Sequence, residues 1–171
     1  MKAIGGRDTR LVAVHRGGTL TASDHCALMR WTLASARHLL AHCPHECDDQ
    51  LEEALMIAER WADSNATTGE AMVASRSLHR IARSASAPTT VYCYRIVAHT
   101  LAVAHMADHA FGPQYYGQKL FLLLNRPFDE ELAWMCLQLK IICPQMEEVV
   151  NCVLSTRFSI QLCSGYAGAS G

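Results

Sequence analysis

Leu51, Ala54, Leu55, Ala58, Trp61 and Ala62 recur at i, i+3, i+4, i+7, i+10 and i+11. An apolar stripe of that period lies along one side of an α-helix, whereas a strand would split it between two faces. The same spacing recurs on either side. Met29, Leu33, Ala36 and Leu40 mark a first helix over about 24–42, with Thr21 or Ser23 as N-cap, Asp24 in the first turn and Pro44 as its stop. Thr67 or Thr68 caps a third over about 69–84, where Ala71, Ser75, Leu78 and Ala82 share one face and Arg76, Arg80 and Arg83 another. Pro88 opens a fourth, predicted to run to Phe111 as a central Ala- and His-rich helix, because nearly every position from Val91 to Ala110 is apolar, small or His. Gly112-Pro113 is read as its end. Shorter helices are predicted over about 114–124, 129–143 and 145–156, separated by Asn125-Arg126-Pro127 and by Pro144. Leu11 to Val14 can pair only as a lone, marginal strand.

Composition agrees. The 171 residues include 24 Ala, with aromatics at 7% and only 10 Gly and 5 Pro, so helix is favoured over sheet. The expected fold is all-α, an irregular bundle of about six or seven helices in one domain. Its organisation is a basic lead-in over 1–20, a helical domain over 21–160 and a flexible tail over 161–171. Net charge is −1, with a pI near 6.7, and neither favours nucleic acid or an anionic membrane. No signal-like or membrane-length apolar run is present, so a cytoplasmic location is expected. None of the 8 Cys forms a C-x-x-C pair, and all are read as reduced, small hydrophobic residues without a metal or cofactor.

Two groups of residues invite chemistry. On one continuous helix Arg95, His99, His105 and His109 fall within an arc of roughly 120°. His105-Met106-Ala107-Asp108-His109 also has the spacing of an inverted zinc-peptidase motif, with Asp108 in place of the usual Glu. A metal-dependent enzyme using His99, His105, Asp108 and His109 is therefore the alternative to a buried polar stripe in which each His is bonded once. The second group is His42-Cys43-Pro44-His45-Glu46-Cys47, read either as a zinc-binding segment or as a loop that is merely rich in His and Cys. No nucleophile elbow or phosphate loop is present. Charge is segregated: residues 24–70 carry nine acids against three arginines, a net of −6, while 71–100 carry four arginines and no acid. That polarity suits either steering of a charged partner or pairing of the third helix's arginines with the second helix's acids. A structural protein that self-associates through the apolar faces of the sixth and seventh helices is a further alternative.

The stretch LTASDHCALMRWTLASARHLL (20–40), Ala54 to Ala62 with Trp61, Thr68-Gly69-Glu70-Ala71, the run AHTLAVAHMADHAFGPQYYGQKL (98–120), and Trp134 followed by Cys143-Pro144 together resemble a family of bacterial immunity proteins of polymorphic toxin systems. The resemblance covers about 20–157. It implies a small all-helical protein that binds and blocks the effector domain of a cognate toxin and has no catalytic residues of its own. The expected contact is the acidic patch Asp48, Asp49, Glu52 and Glu53, which mimics phosphate charge toward a toxin that acts on nucleic acid.

Overall fold

The computed structural model describes residues 8–43 and 48–158, and the tail expected over 161–171 lies outside them. Seven α-helices are present among those residues: α1 Ala22–Leu40, α2 Asp49–Ala62, α3 Thr68–Ser84, α4 Pro88–Ala102, α5 Gly112–Leu123, α6 Asp129–Ile142 and α7 Glu147–Phe158. Local chemistry sets most starts. Thr21 caps α1 by accepting from the Asp24 N–H, and Asp48 caps α2 by accepting from the Leu51 N–H. Thr67 and Glu70 form a reciprocal capping box at α3. Pro88 and Pro113 occupy the first turns of α4 and α5. Asn125 takes the left-handed conformation (φ 53°) that ends α5.

Helix α4 is central, packing most extensively on α3 and α5 and also touching α1 and α2, while α6 lies against α1. The predicted faces of α1, α2 and α3 are buried apart from the half-exposed Trp61. Polar groups inside this core are tied to backbone: Trp31 Nε1–H donates to the Met135 carbonyl at 2.8 Å, and the Ser75 hydroxyl to the Ala98 carbonyl at 2.8 Å. Leu11 and Leu20, in the expected lead-in, are buried with the core, and the Leu11–Val14 segment forms 3-10 turns with one isolated bridge, Ala13 to Leu20, in place of a strand.

The fourth helix departs from expectation. It stops at Ala102 and the chain enters a separate 3-10 turn, Ala107–Phe111, which runs directly into α5; Gly112-Pro113 therefore opens a helix. No proline or glycine breaks it. Three successive carbonyls are instead taken by distant side chains: His25 Nε2–H donates to Val103 O at 2.6 Å, the Thr68 hydroxyl to Ala104 O at 3.5 Å, and Arg16 to His105 O at 3.4 Å. Those bonds satisfy carbonyls that a continuing helix would have paired internally.

Candidate functional site

The turn after Ala102 divides the polar residues of the fourth helical segment into two places. His99 of α4 and His109 of the 3-10 turn face each other, Nδ1 to Nδ1, at 3.1 Å. One ring donates and the other accepts, so at least one of the two is neutral. His79 of α3 packs edge-on against His99, with ring centroids 5.1 Å apart, and its Nδ1 accepts from Arg95 Nη1 at 2.8 Å. Tyr116 of α5 also packs against His99, with ring centroids 5.2 Å apart. Burial, and then the charge of neighbouring Arg95 and His109, push His79 down to about 4; burial, and then His109, His79 and Arg95, push His99 down to about 3. Both imidazoles are neutral near pH 7 and act as hydrogen-bonding core groups.

His105 does not join them. It is exposed, and it lines a cavity of about 670 Å³ between the N-terminal turns and the helix ends, together with His25, Cys26 and Trp61. The single face expected for Arg95, His99, His105 and His109 is thus corrected, because it required a helix that continues past Ala102. Asp108 is half-buried. Among the described residues, His99, His105, Asp108 and His109 bring no three donor atoms to within 4.8 Å of one another, so this alternative metal centre is not assembled.

The acids expected to meet a partner lie at the start of α2, and all four are exposed. They are not equivalent. Asp48 caps the helix and also accepts a short hydrogen bond from the phenol of buried Tyr94. Glu52 pairs with Arg37 of α1 at 3.0 Å, and that guanidinium also reaches Glu59 at 3.4 Å. Arg30 of α1 pairs with Asp63 at 2.8 Å. Glu52 and Glu59 of α2, and Asp63 just after it, are thus met by arginines of α1; among the described residues no ion pair joins the acids of α2 to Arg76, Arg80 or Arg83, which line an open groove along α3 with Val73 and Ser77.

A third group went unremarked in the sequence. His38 and His42 lie one helical turn apart at the end of α1 and converge on Glu131, in the first turn of α6. His38 Nε2 makes a short hydrogen bond to one carboxylate oxygen, and His42 Nε2 lies 3.4 Å from the other. Glu131 is the one buried charged residue among those described, at 8% exposure. Trp134 stacks on the His38 ring at 3.8 Å and 7°, and Phe121 meets the His42 ring edge-on at 4.9 Å. The i, i+4 spacing of the two histidines was the available signal; their acid partner is 93 residues from His38. Of the segment His42–Cys47, residues 44–47 lie outside those described, and Cys43 is buried.

The family described as "Imm-5 like putative immunity protein" matches residues 18–141. The chain belongs to that immunity-protein family. No curated protein and no solved structure matches it. The span matched by the immunity family begins before α1 and stops one residue short of the end of α6. It therefore contains the acidic start of α2, the His79–His99–His109 group and the His38–His42–Glu131 group, and it leaves out α7 and the Thr9–Leu11 turn. Among the described residues, no helix of this immunity-family member is long and apolar enough to cross a membrane.

Proposed function

We propose that the chain neutralises a cognate bacterial toxin domain by direct protein–protein contact in the cytoplasm, and that the exposed start of α2 is the contacting surface. Membership of the immunity-protein family supplies the partner class. The observation that carries the choice of surface is the row Asp49, Glu52, Glu53 and Met56. These residues fall at i, i+3, i+4 and i+7 of one helix, and all four are exposed, Met56 at 53%. An adaptable apolar anchor ringed by carboxylates suits the basic cleft of a toxin that acts on nucleic acid: the charges steer and align the encounter, and the methionine is desolvated on contact. Asp48 plays a different part, holding the helix end and Tyr94 in place behind that row.

The test is inhibition of the C-terminal domain encoded by the neighbouring toxin gene. The triple variant Asp49→Lys, Glu52→Lys, Glu53→Lys is expected to keep the helical circular dichroism of the parent and to lose protection, with association weakened by more than about tenfold, or ~1.4 kcal/mol. Asp48 is left unchanged because replacing it would uncap α2. Full protection by the triple variant removes this face from the reading. A parent chain that neither binds nor inhibits that domain removes the reading itself.

A further inference from the structure

The geometry points to a divalent-metal site at the end of α1: we propose that His38 Nε2, His42 Nε2 and a Glu131 carboxylate oxygen bind one Zn²⁺ ion, with a fourth position left to water. This departs from the expectation of a metal-free chain drawn from sequence, and it stands independently of toxin binding.

Three observations carry it. First, the three donor atoms all lie within 4.8 Å of one another. A tetrahedral ion with bonds near 2.0–2.2 Å sets its donors roughly 3.3–3.6 Å apart, and the His42 Nε2 to Glu131 distance is 3.4 Å. Second, Glu131 is buried beside two imidazoles, and a carboxylate out of water is costly unless it is paired or ligates a cation. Third, both rings are fixed from outside the site, His38 by its stack on Trp134 and His42 by the edge of Phe121. That support is what a precise ligand set requires. Two imidazoles and a carboxylate with a free position suit a borderline divalent ion better than a hard one such as Mg²⁺ or Ca²⁺.

Arg126 has a defined part in this. Its Nη1 donates to His42 Nδ1 at 2.8 Å, which leaves the ring proton on Nε2, where the metal would bind. Zn²⁺ binding moves that proton to Nδ1, so the guanidinium has to turn away; the proton that His38 Nε2 donates to Glu131 likewise moves to His38 Nδ1, and that hydrogen bond gives way to two metal bonds. Arg126 is exposed and rests over the Phe121 ring at 5.3 Å, so it is free to do so. Arginine and ion thus compete for one histidine.

The test uses an untagged chain, titrated with Zn²⁺ by calorimetry and with Co²⁺ by visible absorption. One equivalent should bind, with a d–d spectrum typical of nitrogen and oxygen donors. His42→Ala and Glu131→Gln should each lower affinity by more than about tenfold, since loss of an outer-shell partner alone can do as much. Glu131→Gln keeps the shape of the site, so it carries the test if the alanine variant fails to fold. Arg126→Ala should bind more tightly than the parent. The proposal is overturned by a parent chain with no saturable binding or by thiolate-to-cobalt charge-transfer bands. It is equally overturned if Glu131→Gln folds and binds as the parent does, or if Arg126→Ala binds more weakly.

Discussion

Gly112 lies so close to His99 that a side-chain carbon at position 112 would sit 2.2 Å from the His99 Cβ and 2.5 Å from its Cγ. The 3-10 turn and the start of α5 can press against α4 only because residue 112 has no side chain, and this closeness brings His109 onto His99.

A Gly112→Ala variant should therefore be destabilised by overpacking, by about 1–3 kcal/mol, because the obstructing atom is rooted in the backbone of a central helix and no rotamer change moves it. Thermal unfolding should show a Tm several degrees lower. Adding His99→Gly removes the obstructing Cβ, so the double variant should lose less than the sum of the two single losses. Strict additivity would mean that the two positions do not press on each other.

The neutral histidines make a second prediction, in pH. An unfolded histidine takes up its proton near 6.5, but folded His79 does so only near 4 and His99 only near 3, and burial pushes His25 down as well. Between these values the unfolded chain binds more protons, so stability is full above about pH 6.5 and falls as the pH drops toward 4. Denaturant midpoints should decline across that window, whose upper part, above about pH 5.5, lies clear of the range where ordinary carboxylates titrate. His99→Gln should flatten the slope by about one proton, or ~1.4 kcal/mol per pH unit. An unchanged slope in that variant would show that His99 takes up its proton equally in both states.

How much of this could be read from the chain depends on the range of the interaction that decides each feature. The faces of α1, α2 and α3 are set by spacing within a dozen residues or so, and the caps of α1 and α3 by residues three apart, so they were legible; the Asp48 cap of α2, equally local, was not read. The end of α4 was not legible. Its sequence supports a longer helix, and the carbonyls just past its end are taken instead by His25, Thr68 and Arg16, all remote in the chain. The same limit hid the pairing of α2's acids with Arg30 and Arg37 and the convergence of His38 and His42 on Glu131. The candidate histidine site at His99 was half legible for the same reason: His109 belongs to it, His105 does not, and His79 enters from another helix.

The cysteines give the last prediction. Cys43, Cys93 and Cys143 are buried, Cys26 and Cys136 are half-buried, and Cys152 is exposed on α7. Burial, with Asp24 nearby, pushes the Cys143 thiol up to about 11. Since the thiolate is the reactive form, Cys143 is protected twice, by access and by protonation. In the native chain near pH 8, a thiol reagent followed by mass mapping should label Cys152 rapidly and leave Cys93 and Cys143 unmodified until denaturant is added. Labelling of Cys143 at the rate of Cys152 would show that the contact between the Pro144–Met146 turn and α1 opens on the timescale of the reaction. Local unfolding there would then expose the thiol well before the whole molecule unfolds.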